Sequence, residues 1–530
     1  MKKIREKKVR EKKVREKKER VKKINLPKLD LNNKRNNIIV TSVIGVLALV
    51  VTIVTGVQFT KFRNFNAEFY TGNVDEIQSY SKYSKYLAGT SGDAPIYILY
   101  GDNNTVAVVR ASDADKYDTI DKVLEADARV VKGGVVNIDK EELDISAIAK
   151  ADAATAIDEV KNGTSDIAIV TYADYRAVRD TYTDLTVAKA EIEAVPSILV
   201  MGGTHPNEPA GQLAATMFLE NAKVKRGVLY VVNEVNRSAY THSQPQEATS
   251  WYYELQTASG QTRTFKYGSR ATNTVDQWPT PDVYTHSSGQ QLSSSEVRNI
   301  NRSYPGDEKG TYTEKLSYAI TQLVLQNDIT MVVDLHEASP EYITINAIVA
   351  HDDALELASD AKMWTLDDVM NIGVEVSPAT LHGLTHRDLG DYTYAYVFLA
   401  ETSNASQGKL RGKFSPDLIT YKEKDKFYEY AKEYDEKHGT KLLYAPAADI
   451  DERVARHTFT VSALIKSFND MGCVSRTVNV GKIGEREGRY LGKLEIEMVP
   501  GYEDIMDNGV GYYLHLSLIH ISEPTRPLYI

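Results

Sequence analysis

His205 and Glu208 stand three residues apart in Gly202-Gly-Thr-His205-Pro-Asn-Glu208-Pro-Ala-Gly211, directly behind the apolar run Ser197-Ile-Leu-Val-Met201. An imidazole and a carboxylate at the mouth of a buried strand can close on one metal ion, and zinc takes such donors. A third donor follows another apolar run, Ile329–Val333, in Asp334-Leu-His336-Glu337. On an extended strand Asp334 shares the face of His336, where it can accept the outer ring proton of a ligand histidine. Two imidazoles and one carboxylate leave a fourth position open for water. Either histidine alone reads more readily as an ordinary loop residue. Both behind apolar strands, one with a carboxylate three residues away, read as zinc ligands.

Hydrolysis also needs a base, and Glu401 in Phe398-Leu-Ala-Glu401-Thr-Ser-Asn404 ends a further apolar stretch. A carboxylate beside an activated water can take its proton and later return it to a leaving amine. The rivals are Glu337, expected to point away from its ligand neighbour, and Glu375, in a less distinctive setting. Asn301-Arg302-Ser-Tyr-Pro-Gly306 offers a clamp, because a guanidinium binds a carboxylate through two parallel hydrogen bonds. Arg237, behind Asn236, has the same look and is a second candidate for an anion or oxyanion contact. His382 and His386 read first as a satisfied loop pair and second as pocket-lining groups.

These groups need strands to carry them. Apolar strands are expected at Ile198–Met201, Gly227–Val232, Ile329–Val333 and Tyr394–Ala400, with helices such as Pro209–Asn221 and Thr313–Gln326 between. Near-continuous apolar strands separated by helices indicate an α/β sheet covered on both faces, with ligands beyond the carboxyl ends of the strands. Ahead of them, residues 96–194 alternate strand-like and helix-like stretches: Ile96–Tyr100, Val106–Val109, a helix over Ala153–Lys161, and Ile167–Val170. They read as a small α/β accessory module, and residues 58–95, rich in Tyr, Ser and Lys, as a stalk.

The 530 residues carry a net charge of −10, which hides a split. Residues 1–35 hold 17 Lys and Arg against 5 acids, leaving an acidic body that argues against nucleic acid as partner. One cysteine, Cys473, excludes an internal disulfide framework and a cysteine zinc site. Residues 1–37 read as a basic cytoplasmic tail, and the uncharged run 38–57 as a transmembrane anchor. That places the protein at the cell membrane in a single pass, with the catalytic part outside, and the scarcity of cysteine suits a bacterial surface protein. Residues 516–530 read as a non-native tail.

The motifs Gly-Gly-Thr-His205-Pro-Asn-Glu208, Asn301-Arg302-Ser-Tyr-Pro-Gly, Asp-Leu-His336 and Ala-Glu401-Thr-Ser-Asn resemble the zinc carboxypeptidase clan. Within it they resemble the succinylglutamate desuccinylase/aspartoacylase family, over about residues 195–515. The resemblance implies a mixed eight-stranded sheet sandwiched by helices, with one Zn2+ on His205, Glu208 and His336. It also implies Glu401 as base and Asn301 and Arg302 on a substrate carboxylate. In three respects the chain departs from the family. Asn299 stands where the family has Asp. The Glu208-to-His336 spacing is longer than in compact aspartoacylases and nearer that of carboxypeptidases, and contains a polar, aromatic-rich stretch, Tyr240–Ser295, that suggests a lid or specificity loop. The expected membrane anchor, which members acting on small acylated amino acids do not need, suggests peptides, cell-wall fragments or other extracellular amides. The expected substrate is a small acylated amino acid, cleaved by a deacylase. The alternatives are a metallocarboxypeptidase acting on peptides or cell-wall fragments, and a non-catalytic surface binding protein.

Overall fold

Every residue of the strand Ser197–Met201 is buried, because neither face of it meets water. Ile198 and Val200 pack with the helices Pro209–Asn221 (α1) and Ile450–Asp470 (α3), whereas Leu199 and Met201 pack with Tyr312–Gln326 (α2). Helices on both sides of one sheet are what the apolar runs predicted. The computed structural model describes, with short gaps, residues 96–118, 153–188, 195–243, 251–422, 424–471 and 491–514, the strand at 74–78, and a few positions between. The chain divides into two units, Met1–Glu68 and Phe69–Ile530; the first lies outside the described residues.

In chain order the main sheet comprises β1 (Val74–Gln78), β2 (Ile96–Tyr100), β3 (Ser197–Met201), β4 (Val228–Val232), β5 (Met331–Ala338), β6 (Ala347–Ala350), β7 (Gly373–Val376) and β8 (Tyr396–Ser403). Across the sheet they lie in the order β1-β2-β4-β3-β5-β8-β6-β7. Strands β4, β3, β5 and β8 run parallel, and β6 and β2 join them antiparallel. Seven strands run from Ile96 onward, and β1 adds an eighth at the edge.

Two segments expected elsewhere belong to this sheet. Ile96–Tyr100, read as part of the accessory module, pairs Tyr97 with Val231 and Leu99 with Leu229. Val74–Gln78, read within the stalk, pairs with it in turn. The remaining module strands form a separate three-stranded antiparallel sheet of Ile167–Thr171, Thr105–Arg110 and Leu185–Val187, beside the helix Ala153–Asn162. Asn104 ties this module down by bonding both the N–H and the carbonyl of Gly227, each at 3.0 Å.

The transmembrane helix over 38–57 is not carried forward, and with it go the cell-membrane placement, the cytoplasmic amino terminus and the membrane contact. Among the described residues no helix is long and apolar enough to cross a membrane. Residues 38–57 lie outside the described residues, as do the basic repeat and the tail at 516–530.

One ion pair anchors the helices behind the site. Arg453 of α3 and Glu337 of β5 are both fully buried and joined directly. Glu337 also accepts from the Ala210 N–H at the start of α1 (2.9 Å) and from Asn404 Nδ2 (3.2 Å). Removing one partner of such a pair leaves a buried charge uncompensated, at a cost of about 3–5 kcal/mol. Arg453→Leu should therefore lower the unfolding free energy in urea by about that much. A loss below about 1 kcal/mol would show that the pair does not hold α1 and α3 to the sheet.

Candidate active site

The site is assembled where β3, β5 and β8 end. β3 runs into Gly202-Gly203, and Gly203 adopts φ +72, a backbone conformation that L side chains rarely take. The turn delivers Thr204 and His205, and Glu208 then precedes Pro209 at the first turn of α1. A Cβ on Gly211 would run into the Leu335 carbonyl, so glycine there lets α1 lie directly on β5. Parallel pairing sets the other half: His336 is in register with Glu401, and Asp334 with Leu399. The third ligand candidate and the base candidate therefore project side by side from one face of the sheet.

His205, Glu208 and His336 are all buried and converge, with one donor atom of each within 4.8 Å of the others. The carboxylate bridges the two rings: Glu208 Oε1 lies 2.8 Å from His205 Nδ1, and Oε2 lies 2.8 Å from His336 Nδ1. The rings meet edge to face at 4.7 Å between centroids. His205 Nε2 donates to Asn299 Oδ1 at 2.8 Å. His336 Nε2 lies 2.9 Å from Asp334 Oδ2, off the line of an ideal hydrogen bond. With a metal bound, each ring would be neutral, its proton on the outer Nε2 and its Nδ1 lone pair free for the ion. Two imidazole nitrogens and one carboxylate, buried and converging, are a donor set that suits zinc. The residues present fit the metal.

The charges around this centre support one another. Burial opposes ionisation of Glu208, but His205 and His336 hold its carboxyl far below the usual carboxylate range. Burial would lower His336, yet Asp334 and Glu208 on either side keep it well above the ordinary imidazole value. His205 is lowered by burial and by Arg270. Asp334 is itself held by Thr204 Oγ1 at 2.7 Å and Thr385 Oγ1 at 2.6 Å.

A cavity of about 400 Å³ opens over these residues, lined also by Arg270, Asn301, Arg302, Glu375, His386 and Glu401. Glu401 is half-buried, its inaccessible Oε2 has no hydrogen-bond partner among the described residues, and desolvation together with the Glu208 charge pushes its carboxyl up to about 8. Asn301 is held by the Thr385 N–H, which donates to its Oδ1 at 2.8 Å. Arg302 donates from Nη1 to the Asn301 carbonyl at 2.6 Å and pairs through Nε with Glu296 Oε2 at 3.3 Å. Glu337 is turned away into the Arg453 pair, as expected of the weaker base candidate. Glu375 stands on the cavity wall.

Arg237 is not among the cavity residues; its Nε pairs with Glu234 Oε2 at 3.2 Å. Arg270, by contrast, lines the cavity. The Arg270 Nη1 lies 3.4 Å from Glu208 Oε1 and 3.3 Å from His205 Nδ1, and its Nε lies 3.4 Å from Glu296 Oε1. It follows the hairpin strand Thr262–Tyr267, inside the stretch read as a lid or specificity loop. No local signal marks it, since Gly268-Ser-Arg270 is an ordinary strand exit. Glu296, equally unmarked, spans the Nε edges of Arg270 and Arg302 and accepts from Asn299 Nδ2 at 3.0 Å. Asn299 is thus the link between Glu296 and His205.

His386 lines the cavity, shares a hydrogen bond with Ser377 Oγ at 2.8 Å, and is pushed down to about 3 by burial, so it is neutral. His382 sits 3.2 Å from Asp388 and stacks on His286. These three form a second cluster of possible ligands, but His286 Nδ1 accepts from the Ser288 N–H and its Nε2 donates to the Tyr304 carbonyl. Neither nitrogen of His286 is left for a metal.

No protein-family profile matches the chain, and no curated protein does. Solved structures do. The mDAP-bound form of Helicobacter pylori Csd4, a D,L-carboxypeptidase, matches at 13% identity and TM-score 0.30, over 52% of this chain and 51% of that one. A succinylglutamate desuccinylase/aspartoacylase from Rhodobacter sphaeroides matches at 19% identity and TM-score 0.24, over 39% and 48%. An aspartoacylase family protein from Mesorhizobium loti matches at 17% identity and TM-score 0.24, over 39% and 52%. The chain spans about half the length of each. The solved structures so matched carry the names that the motifs resemble, a carboxypeptidase and the succinylglutamate desuccinylase/aspartoacylase family.

Proposed function

We propose that this protein is a zinc-dependent hydrolase that cleaves the amide on the α-amino group of an amino acid whose carboxylate is free. The observation that carries the reading is the shared register of His336 and Glu401, with Glu208 bridging both histidines beside them. A zinc ion held by His205, Glu208 and His336 supplies Lewis acidity at the scissile carbonyl. The chain's own groups do the rest. Glu401, in register with His336 and with an unengaged Oε2, can take a proton from the attacking water and give it to the leaving amine. Arg302 and Asn301 hold the substrate carboxylate, and the Arg270 guanidinium faces the oxygen on which negative charge develops.

The primary reading is an N-acyl amino-acid deacylase. A carboxypeptidase is the second reading, favoured by the apolar wall beyond Glu401, where Val349, Leu399 and Leu384 leave room for a terminal side chain. The chain, loaded with zinc, should be screened against N-acetyl and N-succinyl amino acids, short peptides, and the same compounds with the carboxylate amidated. Amidation should lower kcat/KM by at least about 100-fold, since it removes the charge that Arg302 recognises. Equal turnover of free and amidated forms would remove the clamp from the reading, and the preferred acyl group separates deacylase from carboxypeptidase.

A further inference from the structure

Four carboxylates line the cavity, and three are engaged by the machinery already described. Glu208 bridges the histidines, Glu337 pairs with Arg453, and Glu401 stands in register with His336. Glu375 differs. It is exposed on the wall, and no hydrogen bond or ion pair within the described residues engages it.

Strand register gives its direction. β7 pairs Glu375 with Val349, and β6 pairs Val349 with Leu399, two residues before Glu401 on β8. The side chains of Glu375, Val349, Leu399 and Glu401 therefore project from one face of the sheet. Two strand spacings put the Glu375 Cα about 10 Å from that of Leu399. Between them the wall is apolar: Val349, Leu399, Val376, Pro378, Leu381 and Leu384. The guanidiniums lie at the other end, where Arg270 reaches Glu208 beyond β3 and shares Glu296 with Arg302. The cavity is cationic at one end, apolar along its wall and anionic at the other.

A molecule that fills it carries a carboxylate for Arg302, methylenes for the wall and a cation for Glu375. Long amine side chains lay their stems on apolar surface in this way and present the charge at the tip. We infer that Glu375 is a specificity residue, and that the amino acid released bears a primary amine at the end of about four methylenes, as lysine does. This deepens the hydrolase reading and rests on it for the reaction. Recognition of the amino acid can be read separately.

The full-length chain loaded with zinc is given Nα-acetyl-lysine, Nα-acetyl-norleucine (the same length without the amine) and Nα-acetyl-glutamate, and kcat/KM is measured. Calorimetry measures the Kd of free lysine and free norleucine. Lysine should exceed norleucine by about tenfold in both readouts. In Glu375→Gln that ratio should fall to within about twofold, and Glu375→Lys should turn the preference towards the glutamate compound. Glu375 is exposed, so both substitutions leave the fold intact, which circular dichroism checks. Hydrolysis without a lysine preference, or a preference that survives in Glu375→Gln, overturns the inference and leaves the hydrolytic reading in place. Glu375-dependent binding of lysine without turnover of any compound keeps the inference and removes the hydrolytic reading. Neither binding nor turnover overturns both.

Discussion

Glu401→Gln should leave a folded chain that still takes one zinc ion, while kcat falls by about 10²- to 10⁴-fold. Glutamine keeps the shape of glutamate and loses only the ability to accept and return a proton. His205, Glu208 and His336 do not depend on that proton, so metal content by mass spectrometry should match the parent. A second readout needs no substrate. Burial and the Glu208 charge raise the Glu401 carboxyl from an ordinary 4.5 to about 8 in the folded chain. Between those values the metal-free folded state keeps a proton that the unfolded state has released. Stability from this group is fully present below about pH 4.5 and is lost as pH rises through about 8. The glutamine variant has no such loss, so the melting temperature of the metal-free parent should decline relative to the variant across that window. A difference that stays flat, together with unchanged turnover, would strip Glu401 of its role.

The second large effect concerns the metal. His336→Ala should abolish stoichiometric zinc binding, because it removes one of three donors and leaves Glu208 without half of its bridge. In the parent, zinc at about 100 times its Kd should add about 2.7 kcal/mol of stability. That gain should appear as a chelator-sensitive rise in melting temperature and be missing from the variant. The substitution also leaves Asp334 and Glu208 buried beside a void, so His205→Gln, which keeps most of the volume, serves as its partner. If either variant holds one zinc per chain and gains the same stability from it, the ligand set is wrong.

The reach of the sequence differed between the parts of the site. His205, Glu208, His336 and Glu401 could be read because each ends an apolar strand, and a strand end is a local pattern. That His336 and Glu401 are in register could not be read, since pairing between β5 and β8 joins segments more than sixty residues apart. Arg237 could be singled out because it follows a strand and an asparagine, whereas nothing in the sequence marks Arg270. Its neighbour Glu234 engages it instead, while a hairpin with no distinguishing residues carries Arg270 to the ligands. The departure at Asn299 was visible, but not its consequence. A neutral amide accepts from His205 on one side and donates to Glu296 on the other, which a carboxylate could not do. The uncharged run at 38–57 was legible as composition, and it lies outside the described residues.

The strand Ile96–Tyr100 bears on where this protein can be cut. By sequence the hydrolytic region begins near residue 195, yet β2 covers β4 along Val228–Val232 from the other side of that boundary. A fragment starting at 195 would expose the N–H and carbonyl groups of β4, flanked by buried side chains of Leu229, Val231 and Val232. Such an open apolar edge is a template for pairing with another chain. The pairing of Tyr97 with Val231 also closes a loop of more than 130 residues, so β2 emerges from synthesis long before its partner exists. The amino-terminal segment thus acts as a built-in guard against aggregation, and it must wait for the strand that it protects.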